Sequence, residues 1–376
     1  MPGLVPDPIR VGIVGANPAG SWAAATHLPA LAQLREFMIT AVATTRAESA
    51  AAAAAATGAR LAFTNSDELV AHTEVDLVVA AVKSSGQAEI VRAALAAGKH
   101  VVCEWPLGAG TAEAAELTAA AQTAGVVNTV VLQGYYSPSV NYVKDLLAAG
   151  RIGRIASITI IAAGDPFGGS SIPQNLAWTT DPTKGSGLLT IMAGHVLATV
   201  EHLAGGLVEV SAELTNLHET ITVLETGQRI ANSQAGQLAL AGRLADGGLV
   251  ALTLHGGHDD QPDGFYLHIR GSEGTITVTP VQTGMYLHWA DWNIRLRTVD
   301  GHISRLAVPD VYRTAPATLP PGPTAHVAGI YRETASAITE GRAAQPDFAI
   351  GLRQHHLLDA IEYASATGSR RAITLE

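Results

Sequence analysis

The sequence predicts an α/β protein in which a parallel, doubly wound sheet is followed by a large, mostly antiparallel open sheet. Through residue 134, short buried apolar strands alternate with alanine-rich helices, which is the pattern of a parallel sheet covered by helices. From Ile155 onward, β-branched runs are separated by short polar turns such as Ala245–Gly248, which indicates antiparallel strands. We therefore divide the chain into residues 1–135 and an α+β domain of residues 136–376.

The composition narrows the class of protein. Of the 376 residues, 47% are hydrophobic and only 15% are charged, so we expect large cores or subunit contacts to cover much of the surface. A net charge of −10 without a basic stripe argues against direct nucleic-acid binding. Met1–Pro8 lacks the regions of a signal peptide, no apolar run is long enough to cross a bilayer, and Cys103 is the only cysteine. We expect a cytoplasmic protein without membrane contact.

A glycine-containing turn near the start of the chain predicts a dinucleotide site. The apolar strand Val11–Val14 runs into Gly15, and Gly20 precedes a helix, which is the strand–turn–helix unit of a Rossmann dinucleotide-binding domain. Asn17 stands where the motif normally has its middle glycine. Because asparagine tolerates unusual backbone angles and can donate from its amide, we expect the turn to bind a diphosphate. The alternative is a glycine turn in some other parallel-sheet protein.

The end of the second strand favours NADP over NAD. Domains that bind NAD usually place a carboxylate there for the ribose diol, but this chain has Thr44, Thr45 and Arg46. A guanidinium and hydroxyls can bind a 2′-phosphate; alternatively, Arg46 lies over the adenine or points to solvent. The expected cofactor-binding residues are Gly15, Asn17, Pro18, Ala19, Gly20, Thr44, Thr45, Arg46, Val82, Lys83, Ser84, Gln87, Glu104, Trp105 and Gln133.

Motifs along the whole chain carry a resemblance to a known family. They include the N-terminal turn, Glu104-Trp105-Pro106, Gly194-His195 and the closing run from Pro346 to Gly368. The chain resembles the Gfo/Idh/MocA oxidoreductases, and within them the fungal galactose-pathway co-repressor subfamily, which shares the Glu-Trp pair and Ile-x-x-Gly-His. The family implies hydride transfer between a nicotinamide and a sugar, polyol or related compound. It also implies an open sheet that mediates homodimers or homotetramers.

Two positions depart from the family pattern. The lysine that normally contacts the reacting hydroxyl is Trp105 here, and the aspartate four residues before the histidine is Ile191. His195 is retained, and the ordinary pKa of histidine suits acid–base work near neutral pH. We expect catalytic roles for His195, Tyr135 and Glu104, and a substrate site formed by Trp105, Tyr136, Asp165, Trp178 and His195.

The sequence leaves two functions open. The first is an NADP-dependent oxidoreductase with His195 as acid or base, including a redox-neutral variant that retains its cofactor. The second is a non-catalytic NAD(P)-binding regulatory protein that senses nucleotide or sugar and binds a protein partner. In the second case His195 is a packing residue.

Other conspicuous side chains suggest weaker interpretations. His255 and His258 lie near Asp259-Asp260, but no third ligand has suitable spacing, so we expect no metal site. We expect Trp289 and Trp292 to cover the sheet or an interface rather than to bind substrate.

Overall fold

The computed structural model describes residues 7–257 and 264–374. The chain forms two compact units, the described parts of Met1–Gln133 with Ala315–Leu352 and of Gly134–Thr314 with Arg353–Glu376. The chain therefore leaves the first unit after Gln133 and returns to it at Ala315. A single division after residue 135, as predicted from the sequence, does not describe this return.

The helices and strands follow one another closely along the chain. The α-helices are α1 (Trp22–Ala25), α2 (His27–Ala32), α3 (Ala47–Thr57), α4 (Ser66–Ala71), α5 (Gln87–Ala96), α6 (Thr111–Ala124), α7 (Pro138–Ala148), α8 (Gly194–Ala204), α9 (Pro323–Glu340) and α10 (Phe348–Thr367). The strands of the first unit are β1 (Ile9–Val14), β2 (Phe37–Ala43), β3 (Leu61–Phe63), β4 (Leu77–Ala80), β5 (His100–Glu104) and β6 (Asn128–Val131).

The six strands of the first unit form a parallel sheet in the order β3-β2-β1-β4-β5-β6. Its central strands are buried almost throughout, as expected when helices cover both faces of a parallel sheet. The strand order reverses beside β1, and open α/β sheets bind ligands outside the carboxyl ends of the strands at such a point. The predicted Rossmann architecture of this half is confirmed.

Helix α9 belongs to the first unit although it lies far along the chain. It begins with Pro323 in its first turn and ends at Gly341, whose φ of 64° is left-handed, so both termini carry common helix-end residues. Thr324 Oγ1 donates to the carbonyl of Ala25 at 3.2 Å. After the helix, the carbonyl of Pro346 accepts a hydrogen bond from the amide of Val130 at 3.0 Å, which pairs this segment with the edge strand β6.

The second unit is built on a nine-stranded mixed sheet. Its strands are β7 (Ile155–Ala163), β9 (Leu207–Thr215), β12 (Gln237–Leu244), β13 (Leu249–His255), β14 (Phe265–Gly271), β15 (Gly274–Pro280), β16 (Trp292–Thr298), β17 (Ile303–Leu306) and β18 (Arg371–Ala372), in the order β17-β16-β15-β14-β7-β13-β12-β9-β18. Strands β7 and β13 pair in parallel, and the other pairs are antiparallel. The predicted large, mostly antiparallel sheet is therefore present.

Two features of the second unit differ from the sequence prediction. A separate three-stranded sheet contains β8 (Ser171–Ile172), β10 (Thr220–Val223) and β11 (Arg229–Ala231), in the order β11-β10-β8. The sequence predicts one long helix over Gly187–Leu203, but this segment is not a single α-helix, because Leu188–Ala193 is a π-helical turn that leads into α8.

One helical stretch of the described residues, Pro182–Ala204, is long and apolar enough to cross a membrane by length and composition. Of its most apolar 18-residue window, 72% is buried inside the structure. This stretch therefore has the properties of a core helix, and its burial accounts for its hydropathy.

Candidate functional site

A cavity of about 560 Å³ lies at the carboxyl ends of β1 and β2 in the first unit. Many of its lining residues are those expected to bind a cofactor: Gly15, Asn17, Thr44, Thr45, Arg46 and Val82. Ser49, Asn65 and Ser66 add further polar groups, and no carboxylate lines the cavity. The site can therefore accept an anionic ligand without charge repulsion from its walls.

Gly15 is required by the turn that opens this cavity. Its φ is +98°, and a Cβ built on it would lie 2.3 Å from the carbonyl oxygen of Ala81. Any larger residue would be strained and would collide with the backbone that follows β4. The backbone can therefore come close to a ligand at the end of β1.

Asn17 folds back onto the turn that it belongs to. Its Oδ1 accepts a hydrogen bond from the amide of Ala19 at 3.1 Å, and its carbonyl accepts one from the amide of Ser21 at 3.2 Å. Pro18, Ala19 and Gly20 are exposed. The side-chain amide therefore occupies a backbone N–H that a glycine at this position would leave available to a phosphate oxygen.

The end of β2 is organised by its own hydroxyls. Thr44 Oγ1 lies 3.0 Å from the carbonyl oxygen of Arg46 and 2.7 Å from Ser49 Oγ, and Ser49 Oγ also donates to that carbonyl at 3.0 Å. Thr45 and Arg46 are exposed. Within residues 7–257 and 264–374, no carboxylate forms an ion pair with Arg46, so its guanidinium can turn toward an anion in the cavity.

Gln87 connects the two strand ends beside the cavity. Its Nε2 donates to the carbonyl of Val82 at 3.2 Å, and its Oε1 accepts from the amide of Gly108 at 3.2 Å and from Cys103 Sγ at 3.5 Å. Lys83 is exposed, whereas Ser84, Trp105 and Gln133 are buried. The contacts of Gln87 therefore hold the loops after β4 and β5 together.

Glu104, at the end of β5, accepts two hydrogen bonds on one carboxylate oxygen. Its Oε1 lies 3.0 Å from Trp22 Nε1 and 2.5 Å from His27 Nε2, and His27 Nδ1 lies 2.6 Å from the hydroxyl of Tyr331. Glu104, His27 and Tyr331 are all buried. Spacing along the sequence gives no indication of this group, because its members lie on four separate elements.

His195 lies in the second unit, at the start of α8 and directly after the π-helical turn. Its ring stacks on that of His288, with 4.3 Å between the centroids and 13° between the planes. Its Nδ1 is buried and has no hydrogen-bond partner among the described residues. Burial lowers the pKa of His195 to about 3, so the imidazole is neutral near neutral pH.

The aromatic segment between β15 and β16 completes this cluster. The ring of Tyr286 stacks near that of His288 with 5.9 Å between centroids, and Trp289 packs edge-on against both. The hydroxyl of Tyr286 donates to the carbonyl of Asp165, and burial raises the pKa of that hydroxyl to about 12. The structure thus joins two predicted site residues, His195 and Asp165, through Tyr286 and His288, which sequence reasoning did not identify.

The remaining predicted residues of the second unit lie in two other places. Tyr135 is buried, and its ring lies 4.2 Å from that of His202, whose pKa burial lowers to about 3. Tyr136 ends the short turn Gln133–Tyr136, and Trp178 lies in the turn Gln174–Thr180; both are half-buried. The roles of these three side chains in substrate binding or catalysis stay predictions.

No group of three or more histidine, cysteine, aspartate or glutamate side chains in the described part of the chain could hold a metal ion. His258 and Asp259-Asp260 lie outside the described residues. Trp292 is buried and packs near Phe265 in the large sheet, whereas Trp289 belongs to the aromatic cluster around His288.

Sequence comparisons agree with this geometry. Residues 9–132 match the model of the oxidoreductase family with an NAD-binding Rossmann fold, and residues 138–280 match the model of the C-terminal domain of Gal80p. Dehydrogenase aclE of Aspergillus oryzae is 32% identical over 286 residues, which cover 74% of this chain and 70% of that protein. The galactose/lactose metabolism regulatory protein GAL80 of Saccharomyces cerevisiae is 28% identical over 291 residues, 72% of this chain and 66% of that protein.

Solved structures share the fold over nearly the whole chain. Levoglucosan dehydrogenase in complex with NADH and L-sorbose superimposes with a TM-score of 0.85 at 21% identity, covering 98% of this chain and 99% of that one. A super-repressor mutant of Gal80p from Saccharomyces cerevisiae gives 0.85 at 21% identity, with 97% and 98% covered. The chain belongs to the Gfo/Idh/MocA oxidoreductase family, whose NAD-binding Rossmann fold forms its first unit.

Proposed function

We propose that this protein is an NADP-dependent oxidoreductase that acts on a sugar, a polyol or a related hydroxyl or carbonyl compound. The observation that carries the proposal is the cavity of about 560 Å³, which combines the glycine turn with Thr44, Thr45 and Arg46 and has no carboxylate in its lining. A dinucleotide with a 2′-phosphate fits this set of donors better than one with a free ribose diol.

The residues of the cavity have distinct roles in this proposal. The turn that begins at Gly15 offers backbone N–H groups to the diphosphate, and the guanidinium of Arg46 pairs with the 2′-phosphate. When bound, the nicotinamide supplies or accepts the hydride. Trp105 carries no charge and donates only through its indole N–H, so it cannot replace the lysine that the family uses for proton transfer.

His195 is the proposed proton acceptor. Burial lowers its pKa to about 3, so the ring is unprotonated near neutral pH and has a free lone pair for the proton of a hydroxyl. A base of this pKa is weak, so the proposed role requires the pKa of His195 to be higher when substrate and nucleotide are bound. Its buried Nδ1 has no partner among the described residues. A neutral histidine suits the direction of alcohol oxidation better than the donation of a proton to a carbonyl.

Two kinds of relatives support two functions. Levoglucosan dehydrogenase and dehydrogenase aclE are named as enzymes, whereas GAL80 is named as a regulatory protein. The second candidate function is a non-catalytic NAD(P)-binding regulator, which the replacement of the two family positions by Trp105 and Ile191 favours. Nucleotide binding would then shift the affinity for a protein partner by about 1–3 kcal/mol, the usual range of such coupling.

We also propose that the protein is a homodimer or homotetramer. The accessible face of the nine-stranded sheet carries apolar side chains at its centre, among them Ile161 and Tyr266, which are 45% and 39% exposed, whereas arginines such as Arg295 and Arg297 lie on the strands toward its edge. Such a face is typical of a subunit interface. A cytoplasmic location fits the single buried Cys103; recovery of the protein from a membrane or extracellular fraction would contradict it.

A single-turnover assay tests the enzymatic proposal. The protein is loaded with NADP or NADPH, a panel of sugars, polyols and keto-sugars is added, and nicotinamide absorbance is followed. We expect a change with at least one compound, its loss in His195→Gln, and its retention in His356→Gln, which alters an exposed histidine. Tight nucleotide binding without turnover in any combination would favour the regulatory function. Failure of the wild-type protein to bind either NADP or NAD would refute both.

A further inference from the structure

A chain of buried and half-buried polar contacts connects four elements of the first unit. Glu104 lies at the end of β5. Its Oε1 accepts hydrogen bonds from Trp22 Nε1 of α1 at 3.0 Å and from His27 Nε2 of α2 at 2.5 Å. On the other side of the ring, His27 Nδ1 lies 2.6 Å from the hydroxyl of Tyr331 in α9. The side chains of His27 and Glu104 are 0% and 10% exposed, and Tyr331 is fully buried. We call these four residues the Glu104 network.

The hydrogen-bond partners determine which atoms of this network carry protons. The bond to an ionised carboxylate requires a proton on His27 Nε2, and in the neutral ring Nδ1 is then the acceptor of the Tyr331 hydroxyl. Burial raises the pKa of Tyr331 well above its ordinary value, so the phenol keeps the proton that it donates. One tautomer therefore satisfies both ring nitrogens, and the loss of any member would leave a buried polar group without its partner.

The network includes the first residue of each of the two helices that follow the glycine turn. Trp22 is the first residue of α1, immediately after Ser21, whose amide closes the turn on the carbonyl of Asn17 at 3.2 Å. The carbonyl of Trp22 accepts from Thr26 Oγ1 at 2.8 Å, just before His27 begins α2. One carboxylate oxygen therefore fixes the starts of both helices, and with them the end of the turn that faces the cavity.

We infer that Glu104, His27 and Tyr331 are positioning residues that hold the glycine turn in the geometry that receives a dinucleotide diphosphate. This inference rests on the proposed function, because it concerns the same cavity. It assigns Glu104 a structural role toward the turn in place of the catalytic role expected from the sequence. It also gives a role to His27 and Tyr331, which the sequence analysis did not single out.

Tyr331→Phe is the sharpest test, because it removes one hydroxyl and keeps the ring that packs against Phe37 and His27. The matched control is Thr334→Val, which removes another buried hydroxyl of α9, one that contacts Thr129. For both variants we would measure the melting temperature and the dissociation constants of NADPH and of adenosine 2′-monophosphate. The second ligand carries the 2′-phosphate but no diphosphate.

A positioning role predicts that Tyr331→Phe weakens NADPH binding by about tenfold, roughly the effect of losing one well-placed buried hydrogen bond. Binding of adenosine 2′-monophosphate should be unchanged, and Thr334→Val should leave both constants within about twofold at a comparable melting temperature. Unchanged NADPH binding, or equal weakening of both ligands, overturns the inference while leaving the proposed function intact.

A spectroscopic measurement tests the network directly if Tyr331→Phe lowers the stability of the protein and thereby changes its dissociation constants. In ¹⁵N-histidine spectra of the wild-type protein, His27 should show the Nε2–H tautomer, and Tyr331→Phe should shift its Nδ1 resonance. A protonated Nδ1 with a bare Nε2 would contradict the network. If the wild-type protein binds neither ligand, the proposed function is wrong and the inference fails with it.

Discussion

The rings of His195 and His288 lie nearly parallel with 4.3 Å between their centroids, although the two residues are far apart in the sequence of the second unit. Both side chains are buried, 6% and 1% exposed. Two imidazolium ions cannot share such a site, because like charges at this distance repel strongly where water is excluded. At most one of the two rings can therefore carry a charge, and burial lowers the pKa of His195 to about 3, so the His195 ring is neutral near neutral pH.

The neutral state of His195 predicts an acid-sensitive stability. Because the folded-state pKa of about 3 lies below the ordinary value of the unfolded chain, the unfolded state binds an additional proton between these values, and stability falls as the pH is lowered. From pH 7 to pH 5, His195 should account for a loss of about 2 kcal/mol in the free energy of unfolding. Denaturant unfolding at both pH values would measure it.

The control for this experiment is a pair of substitutions. His195→Gln should lower the dependence of stability on pH by the stated amount, whatever its effect at pH 7. His356→Gln, on the exposed side of α10, should leave the dependence as it is in the wild-type protein. Equal pH slopes for wild-type and His195→Gln would show that His195 can be protonated in the folded state.

Regular elements with a strong apolar pattern were predictable. The strand–helix alternation up to residue 134 has the order and type predicted, and the segment of roughly Phe348–Thr367, for which the sequence predicts a long helix, forms α10. The small sheet of β8, β10 and β11 was missed because its strands have only two to four residues, too short for an alternating pattern. The π-helical turn Leu188–Ala193 was missed because its hydrogen-bond register is not encoded in an apolar run.

The two polar clusters show a different limit of sequence reasoning. Gly15 and Asn17 were identified because they belong to one local motif, and Arg46 because it follows the second strand of the same strand–helix–strand unit. His27 and Tyr331 are separated by 304 positions, and His288 lies in a segment without regular structure. Only tertiary packing brings such residues together, so no spacing rule could pair them with Glu104 or with His195.

Arg46→Ala should weaken the binding of NADP but not that of NAD. If the guanidinium binds the 2′-phosphate, NADP binding weakens by about tenfold or more, the usual effect of losing a charge-assisted hydrogen bond. NAD binding should change by less than about twofold, because NAD lacks that phosphate. Fluorescence titration with both nucleotides measures this. An equal loss for both would place Arg46 on the adenine instead.

Asn17→Gly should strengthen nucleotide binding. The substitution frees the amide of Ala19 from Asn17 Oδ1 and gives the turn its usual middle glycine, so NADP affinity should rise by about two- to fivefold, the net worth of one hydrogen bond. Asn65→Gly is the comparison, since Asn65 lines the same cavity but caps α4 through the amide of Asp67; its removal frees no amide of the glycine turn and should not strengthen binding. Unchanged or weaker binding in Asn17→Gly would show that the asparagine itself contacts the ligand.

Ile161→Arg should dissociate the oligomer. Ile161 pairs with Thr253 and Tyr266 in the middle of the accessible sheet face, where an arginine would place an unpaired charge in the proposed interface. Analytical ultracentrifugation should show a monomer at micromolar concentration. Leu224→Arg, at another exposed apolar position (60% exposed), should leave the assembly intact. A wild-type protein that sediments as a monomer would refute the interface outright.

Because residues 315–352 belong to the first unit, this unit cannot be completed on the ribosome until most of the second unit has been made. Phe348 is fully buried, and its carbonyl accepts a hydrogen bond from Thr118 of α6, yet the ribosome makes it about 220 residues after the first sheet is complete. At ordinary translation rates this interval lasts roughly 10 to 45 seconds. For most of this interval the nascent first unit lacks α9, so His27 lacks the contact with Tyr331 that completes the support of the glycine turn.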